Sequence, residues 1–305
     1  MSESPDIPIV RPQTEIEKQL VLPLDPTAFH PSARELEFLK HAISQDEHEI
    51  KNRAEEVQKD EKHPYPCLRG FHHVALMMSA NKTYPLVLEK GRADPEALFL
   101  DVGCCMGTDV RKLLHDGFPG AQVLACDLLP DFIALGHKLY RDKDICPVHF
   151  FAADMYEIPL VAPIEPPIPS NVPLGEIKKM SDLLGRLSFV YGGALFHLWD
   201  ESTQHALALR FALLLRVDKP AIIFGRHQAL PEPGYIDDGI KRVRYGHSPE
   251  SWIRMWKTVF KTIYGPDFAL ERVRVNTEMI SGPPKLLPSP VPLHYMMYWS
   301  VEVSA

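Results

Sequence analysis

Residues 98–109 read Leu-Phe-Leu-Asp-Val-Gly-Cys-Cys-Met-Gly-Thr-Asp, and a second apolar run, Val123-Leu-Ala-Cys-Asp, closes on another acid, Asp127. A short apolar run bounded by glycines reads as a buried strand. Gly103 and Gly107 let the backbone bend sharply after it and admit a ligand closely. A helix starting near Thr108 turns its free N–H groups and positive dipole end toward that ligand. An acid at the tip of the next parallel strand, Asp127, can accept both hydroxyls of a ribose. Few folds accommodate this order of strand, glycine turn, helix, strand and acid, and those that do hold a nucleoside.

The nicotinamide fingerprint G-x-G-x-x-G would fall on Gly103, Cys105 and Thr108, so two of its three glycines are missing. A looser pattern, Asp/Glu-x-Gly-x-Gly-x-Gly, fits Asp101, Gly103 and Gly107, with Cys105 at the middle glycine. An acid opening the motif suits a cofactor that carries a sulfonium and an amino group, and it would repel a pyrophosphate. On these residues the chain resembles the class I S-adenosylmethionine-dependent methyltransferases. The double cysteine, Asp127-Leu128 and the segment Gly193-Ala-Leu-Phe-His-Leu-Trp-Asp narrow the resemblance to fungal methyltransferases of meroterpenoid and related secondary-metabolite pathways. It runs from about Tyr65 to Trp256.

The resemblance implies a doubly wound, Rossmann-like α/β sheet with an antiparallel last strand and an N-terminal helical cover. The cover and an extended arm would occupy residues 1–92, and the S-adenosylmethionine-binding domain residues 93–305. Strands are expected at 97–102, 122–126, near 148–152, at 187–191, 221–224, 269–275 and 293–303. Helices are expected at 107–116, 130–140, 175–185 and 201–216. Alternating strands and helices of this kind build a parallel sheet, whose ligands sit beyond the carboxyl ends of the strands. In the cover, a proline-free charged helix should run from Ser32 to about Glu61, with Ser32 and Glu35 as a capping box. A second should span Cys67 to Met78. Residues 1–31 are proline-rich and should be extended, and six prolines from Pro159 to Pro173 exclude regular structure there.

Composition excludes several partners. With 33 basic against 40 acidic residues the net charge is −7, and no Lys/Arg cluster suggests a nucleic-acid footprint. No apolar run approaches the ~20 residues of a membrane span. Five cysteines without zinc spacing, two of them adjacent, point to a reduced chain. The polar, acidic start of the sequence is unlike a signal peptide, and a cytoplasmic monomer or homodimer is expected.

The candidate cofactor residues are Asp101, Gly103, Cys105, Gly107, Asp127 and Leu128. The resemblance adds Asp154 for the adenine amino group, with Met155 on the ring face. Tyr65 and Arg69 either close over the methionine end or are structural. Methyl transfer asks for positioning and desolvation, and for a base where the acceptor must lose a proton. His197, at the end of the fourth strand, is the first candidate base, against the alternative of a hydrogen-bonded core residue. Arg226 could grip an acceptor carboxylate or make an ordinary salt bridge. His247 could face the acceptor or sit in a helix-capping loop. Trp252 and Trp256, four apart, read as core. Cys105 reads as a small residue in a tight turn, with redox control as the other possibility. No grouping has metal-ligand spacing. The acceptor implied by resemblance is a small apolar molecule methylated on a carboxylate or phenol oxygen. A non-catalytic S-adenosylmethionine-binding partner of another enzyme, or a nicotinamide oxidoreductase, are the competing classes.

Overall fold

The computed structural model describes residues 23–62, 65–236, 243–282 and 294–305. The strands are β1 (Phe99–Val102), β2 (Val123–Asp127), β3 (His149–Ala152), β4 (Phe189–Gly193), β5 (Ala221–Ala229), β6 (Gly234–Tyr235), β7 (Tyr245–Gly246), β8 (Val273–Gly282) and β9 (His294–Val303). Seven of them form one sheet in the order β3-β2-β1-β4-β5-β9-β8, while β6 and β7 pair as a separate ribbon. The first five run parallel, and β9 is antiparallel to both its neighbours. The expected doubly wound sheet with an antiparallel last strand is therefore present. Every residue of β1 and β2 is buried, as parallel strands covered on both faces must be.

The helices are α1 (Ala33–Ala42), α2 (Glu47–Asp60), α3 (Pro66–Arg69), α4 (Tyr84–Ala93), α5 (Thr108–His115), α6 (Pro130–Tyr140), α7 (Glu201–Leu214), α8 (Pro249–Tyr264) and α9 (Pro266–Glu271). On one face of the sheet Phe99, Tyr191 and Phe224 pack with Val87 of α4 and Val110 and Leu113 of α5. On the other, Leu100, Val190 and Ile223 pack with Leu207 and Phe211 of α7 and Trp252 and Trp256 of α8. A third cluster joins Phe38, Leu39, Ile50 and Val57 of the first two helices to Phe132 and Leu139 of α6 and to Met106 of the glycine turn. Folding the cover thus places it over the loop between β1 and α5. That loop lies where strand order reverses between β1 and β4, the crevice in which such sheets take ligands.

Several elements differ from the sequence expectation. The long charged helix is two, α1 and α2, broken at Ile43–Asp46, where Asp46 caps the second through the His48 amide. The Ser32–Glu35 capping box is formed. The expected Cys67–Met78 helix is a single turn, α3, followed by 3-10 turns at His72–Val74 and Met78–Ala80, because Phe71 takes a left-handed conformation (φ 57°). Helix 175–185 is replaced by two 3-10 turns, Leu174–Glu176 and Met180–Leu183. Strand 269–275 starts later, at Val273, because Pro266 opens α9 after Gly265. Strand β5 runs five residues beyond its expected end at Phe224, paired all the way to β9. The six-proline segment holds no helix or strand, as expected. Of the proline-rich arm, residues 1–22 lie outside the described residues.

Candidate functional site

The turn after β1 is built by three left-handed residues, Gly103 (φ 78°), Cys105 (φ 51°) and Gly107 (φ 70°). Cysteine at such a position costs about 1–2 kcal/mol, and neighbouring hydrogen bonds hold it there. The amides of Gly103 and Cys104 both donate to the Cys126 carbonyl (2.8 and 2.9 Å), and the Gly107 amide donates to the Cys104 carbonyl at 2.8 Å. Asp127 completes the frame: one carboxylate oxygen accepts the Cys105 amide at 2.8 Å and the other the Leu129 amide at 3.0 Å. A carboxylate oxygen can accept more than one hydrogen bond. Asp127 thus braces the turn and offers an acceptor pair beside it.

Asp101 lies beneath the same turn. It is 3% exposed, with no hydrogen bond or ion pair among the described residues, and burial, then Asp109 and Asp127, raise it well above the carboxylate range. Asp109, in the first turn of α5, accepts the amides of Met77 and Met78 at 3.0 Å each. Burial lifts it to about 6 against those two donors and Arg226. Three carboxyl groups around one turn, two of them raised by burial, make a poor site for a phosphate. Cys104 and Cys105 are both held well above the ordinary thiol range, by burial first and by Asp127 next, which keeps them unreactive.

Two residues that support the loop escaped the sequence analysis. Arg111, 7% exposed on α5, donates to the carbonyls of Met106 (2.8 Å) and Gly107 (3.0 Å). Its other edge grips Asp142 at 2.6 and 2.9 Å, and its plane lies 4.3 Å from the Tyr140 ring. An arginine at i+4 from a glycine was the signal available, and it is a weak one. Gly136, on α6, lets helix and loop touch: a Cβ there would stand 2.2 Å from the Met106 carbonyl oxygen. Helix propensity favours alanine over glycine by about 1 kcal/mol. We expect Gly136→Ala to destabilise nonetheless, by about 1–3 kcal/mol, because the clash is with backbone that Arg111 holds in place. A raised melting temperature would refute that packing.

The acceptor-side candidates are distributed differently from the sequence expectation. Arg226, at the end portion of β5, donates from Nη1 to the Met77 sulfur at 2.7 Å and faces the Tyr298 ring at 5.9 Å; its Nε is buried without an acceptor. Tyr191, also unforeseen, points its buried and unpartnered hydroxyl along β4 to within 2.7 Å of where a Gly193 Cβ would be. Burial keeps that phenol protonated. His197 is half-buried in the 3-10 turn Phe196–Leu198, and its carbonyl accepts from Arg244 at 3.0 Å. His247 is corrected: at 1% exposure it sits in the capping loop of α8, Nδ1 at 2.9 Å from Ser251 Oγ, ringed by Tyr245 and Trp252. Burial lowers it to about 4, so it stays neutral, and its Nε2 is buried without a partner among the described residues. Trp252 and Trp256 are fully buried core residues, as read from their spacing.

Asp154 caps the turn after β3 through the Tyr156 amide (2.9 Å), while Met155, 6% exposed, packs into the core on the α7 side. Leu128 is 45% exposed beside Asp127. Tyr65 lies 6.2 Å from the Phe132 ring, and Arg69 sits at the end of α3. Cavities of about 320 Å³ (Asn81, Thr83, Glu278, Tyr298) and about 190 Å³ (Pro166, Gly185, Tyr264) lie elsewhere and do not touch the glycine turn. Among the described residues no group of His, Cys, Asp or Glu could hold a metal ion, and no helix is long and apolar enough to cross a membrane.

No family model matches the chain. It is 27% identical over 205 residues to O-methyltransferase phiE of Fungal sp. (strain ATCC 74256), a match covering 65% of this chain and 61% of that one. It is 28% identical to the Asnovolin E/Chermesin D methyltransferase nvfJ of Aspergillus novofumigatus, covering 64% of each. With O-methyltransferase atr3 of Stereocaulon alpinum it shares 29% identity over 53% of this chain and 42% of that one. The chain therefore spans less than two thirds of the length of these relatives. Among solved structures, 1,6-didemethyltoxoflavin-N1-methyltransferase of Burkholderia thailandensis aligns with a TM-score of 0.41 at 15% identity, over 74% of this chain and 80% of that one.

Proposed function

We propose that this chain, related by sequence to fungal methyltransferases, binds S-adenosylmethionine at the β1–α5 turn and methylates a carboxylate oxygen of a small apolar natural product. One observation carries the cofactor assignment: Asp127 is held rigid by two loop amides beside an unpaired, buried Asp101. The fit is chemical. Asp127 and the turn suit a ribose, and a sulfonium or ammonium beside the raised Asp101 and Asp109 would favour their ionised forms. When bound, the cofactor supplies an electrophilic methyl group on sulfur.

The chain's own residues orient and exclude water. Arg226 has a thioether, a weak acceptor, as its Nη1 partner and nothing on Nε. An acceptor carboxylate would replace the first and satisfy the second, with the Tyr191 hydroxyl as a further donor nearby. A carboxylate is already ionised at neutral pH and needs no base, which accords with the burial of His247. His197 then orients the acceptor. The test is turnover of S-adenosylmethionine against paired panels of apolar carboxylic acids and phenols, with the methylated product identified by mass spectrometry. Methyl esters forming at a rate flat between pH 6 and about 9 support the reading. Methylation confined to phenols, rising with pH, would reassign the acceptor and restore His197 as a base.

A further inference from the structure

Glu61 follows the last turn of α2 and lies under the cover, 8% exposed. Neither of its carboxylate oxygens has a hydrogen-bond partner or an ion pair among the described residues. Arg69, at the end of α3, is the cation that acts on it, and Glu61 in turn contributes to raising the Cys105 thiol in the glycine turn. Yet no ion pair joins Glu61 to Arg69. The guanidinium makes one long hydrogen bond, Nη1 to the Gln58 carbonyl at 3.4 Å, and its Nε is buried without an acceptor. Burial lifts Glu61 to about 7, with Arg69 opposing the rise.

A buried acid coupled to a half-buried arginine and still unpaired leaves both groups short of partners, which folding alone does not reward. A molecule that satisfies both at once must present a cation and an anion a few bonds apart. An α-amino acid does so on a single carbon: its ammonium offers three donors to a carboxylate, and its carboxylate accepts the fork of an arginine. Glu61 is close enough to Cys105 in the glycine turn to act on its thiol, and Arg69 acts on Glu61.

We infer that Glu61 and Arg69 together receive the amino-acid end of the cofactor, Glu61 taking the α-ammonium and Arg69 the carboxylate; this rests on the S-adenosylmethionine reading above. Glu61 is a binding residue contributed by the cover, so ordering of the cover and capture of the cofactor are coupled through it. Selectivity follows: ligands that lack the amino acid gain nothing from either residue.

Calorimetric titration of the full chain distinguishes the possibilities. The ligands are S-adenosylmethionine, S-adenosylhomocysteine and 5′-methylthioadenosine, which keeps the nucleoside and lacks the amino acid. In Glu61→Gln and in Arg69→Met, Kd for the first two should rise about tenfold or more, while 5′-methylthioadenosine binds within about twofold of wild type. Glu61→Asp, which keeps the charge, should recover part of the loss. Ligand-free Glu61→Gln should melt at or above the wild-type temperature, since it removes an unpaired buried acid. Unchanged S-adenosylhomocysteine affinity in Glu61→Gln would overturn the inference, and so would an equal loss for 5′-methylthioadenosine. A loss confined to S-adenosylmethionine would also overturn it, by pointing to the sulfonium instead. Absence of S-adenosylhomocysteine binding to the wild-type chain would sink the cofactor reading itself, a result distinct from all of these.

Discussion

Asp127→Ala is expected to weaken S-adenosylmethionine and S-adenosylhomocysteine binding by at least ~100-fold, since two charge-assisted hydrogen bonds of about 1.5–3 kcal/mol each are removed. The substitution acts twice. It deletes the acceptor pair offered to the ribose, and it releases the amides of Cys105 and Leu129. Cys105 holds a left-handed backbone that alanine at 127 no longer supports. Asp127→Asn separates the two effects, because its carbonyl oxygen keeps the accepting capacity of one carboxylate oxygen while its NH2 meets the other loop amide as a second donor. Its affinity should fall between wild type and Asp127→Ala. Titration beside NAD, which should bind none of the three chains, is the measurement. Retained micromolar affinity in Asp127→Ala would remove Asp127 from the cofactor site.

Arg111→Met should cost about 3–5 kcal/mol of folding stability, the usual consequence of breaking a buried pair by removing one partner. Asp142 would lose its bidentate partner, and the Met106 and Gly107 carbonyls their donor. The lower end of that range is expected because Asp142 retains 14% side-chain exposure and its contact with His137 Nδ1 at 2.8 Å. The pH dependence has a definite sign. Burial alone would raise Asp142, but Arg111, and then His137, bring it below the carboxylate range. A depressed carboxylate stabilises above its unfolded value of about 3.9 and loses that contribution as pH falls through the folded value. The stability gap between wild type and Arg111→Met should therefore be full near neutrality and close below about pH 4. Adding Asp142→Leu to Arg111→Met should recover part of the loss. Denaturant unfolding at several pH values reads all three. A gap that does not narrow in acid would mean that the ion pair is not its source.

The legible elements share one property: their signals are local. The Leu98–Val102 run is apolar but for Asp101 and stops at Gly103, the pattern of a short strand buried on both faces. Gly103 and Gly107 sit where φ is positive, and Pro130 opens α6 at its expected first residue. The Ser32–Glu35 box formed because capping is decided within a single turn of chain. The elements that differed had weak local signals and were settled by contacts distant in sequence. The break between α1 and α2 has no proline or glycine; it lets α2 pack on α6 while α1 sets Phe38 and His41 against His115 of α5. Strand β5 extends through Arg226, His227 and Gln228 because β9 pairs along its full length. In that extension His227 accepts the indole N–H of Trp299 at 3.0 Å, a contact 72 residues apart.

Among site residues the same division holds. Asp101, Gly103, Cys105, Gly107 and Asp127 belong to one strand–turn–helix–strand unit, whose chemistry follows from spacing. Arg111, Tyr191 and Glu61 carry no motif. Each matters because tertiary packing buries it and then either supplies its partners, as for Arg111, or withholds them, as for Tyr191 and Glu61. His247 could face the acceptor or sit in a helix-capping loop from its sequence; it lies in that loop beside Ser251, and burial lowers it to about 4.

By itself the sequence determined the alternation of strands and helices, the left-handed turn and the acids placed at it, because strand burial, glycine conformation and a two-strand spacing are set over a few residues. The tertiary structure alone decided which charges end up satisfied and which are left open. Desolvation acts on a side chain only after segments such as α2 and the β1–α5 turn, more than 40 residues apart, have come together.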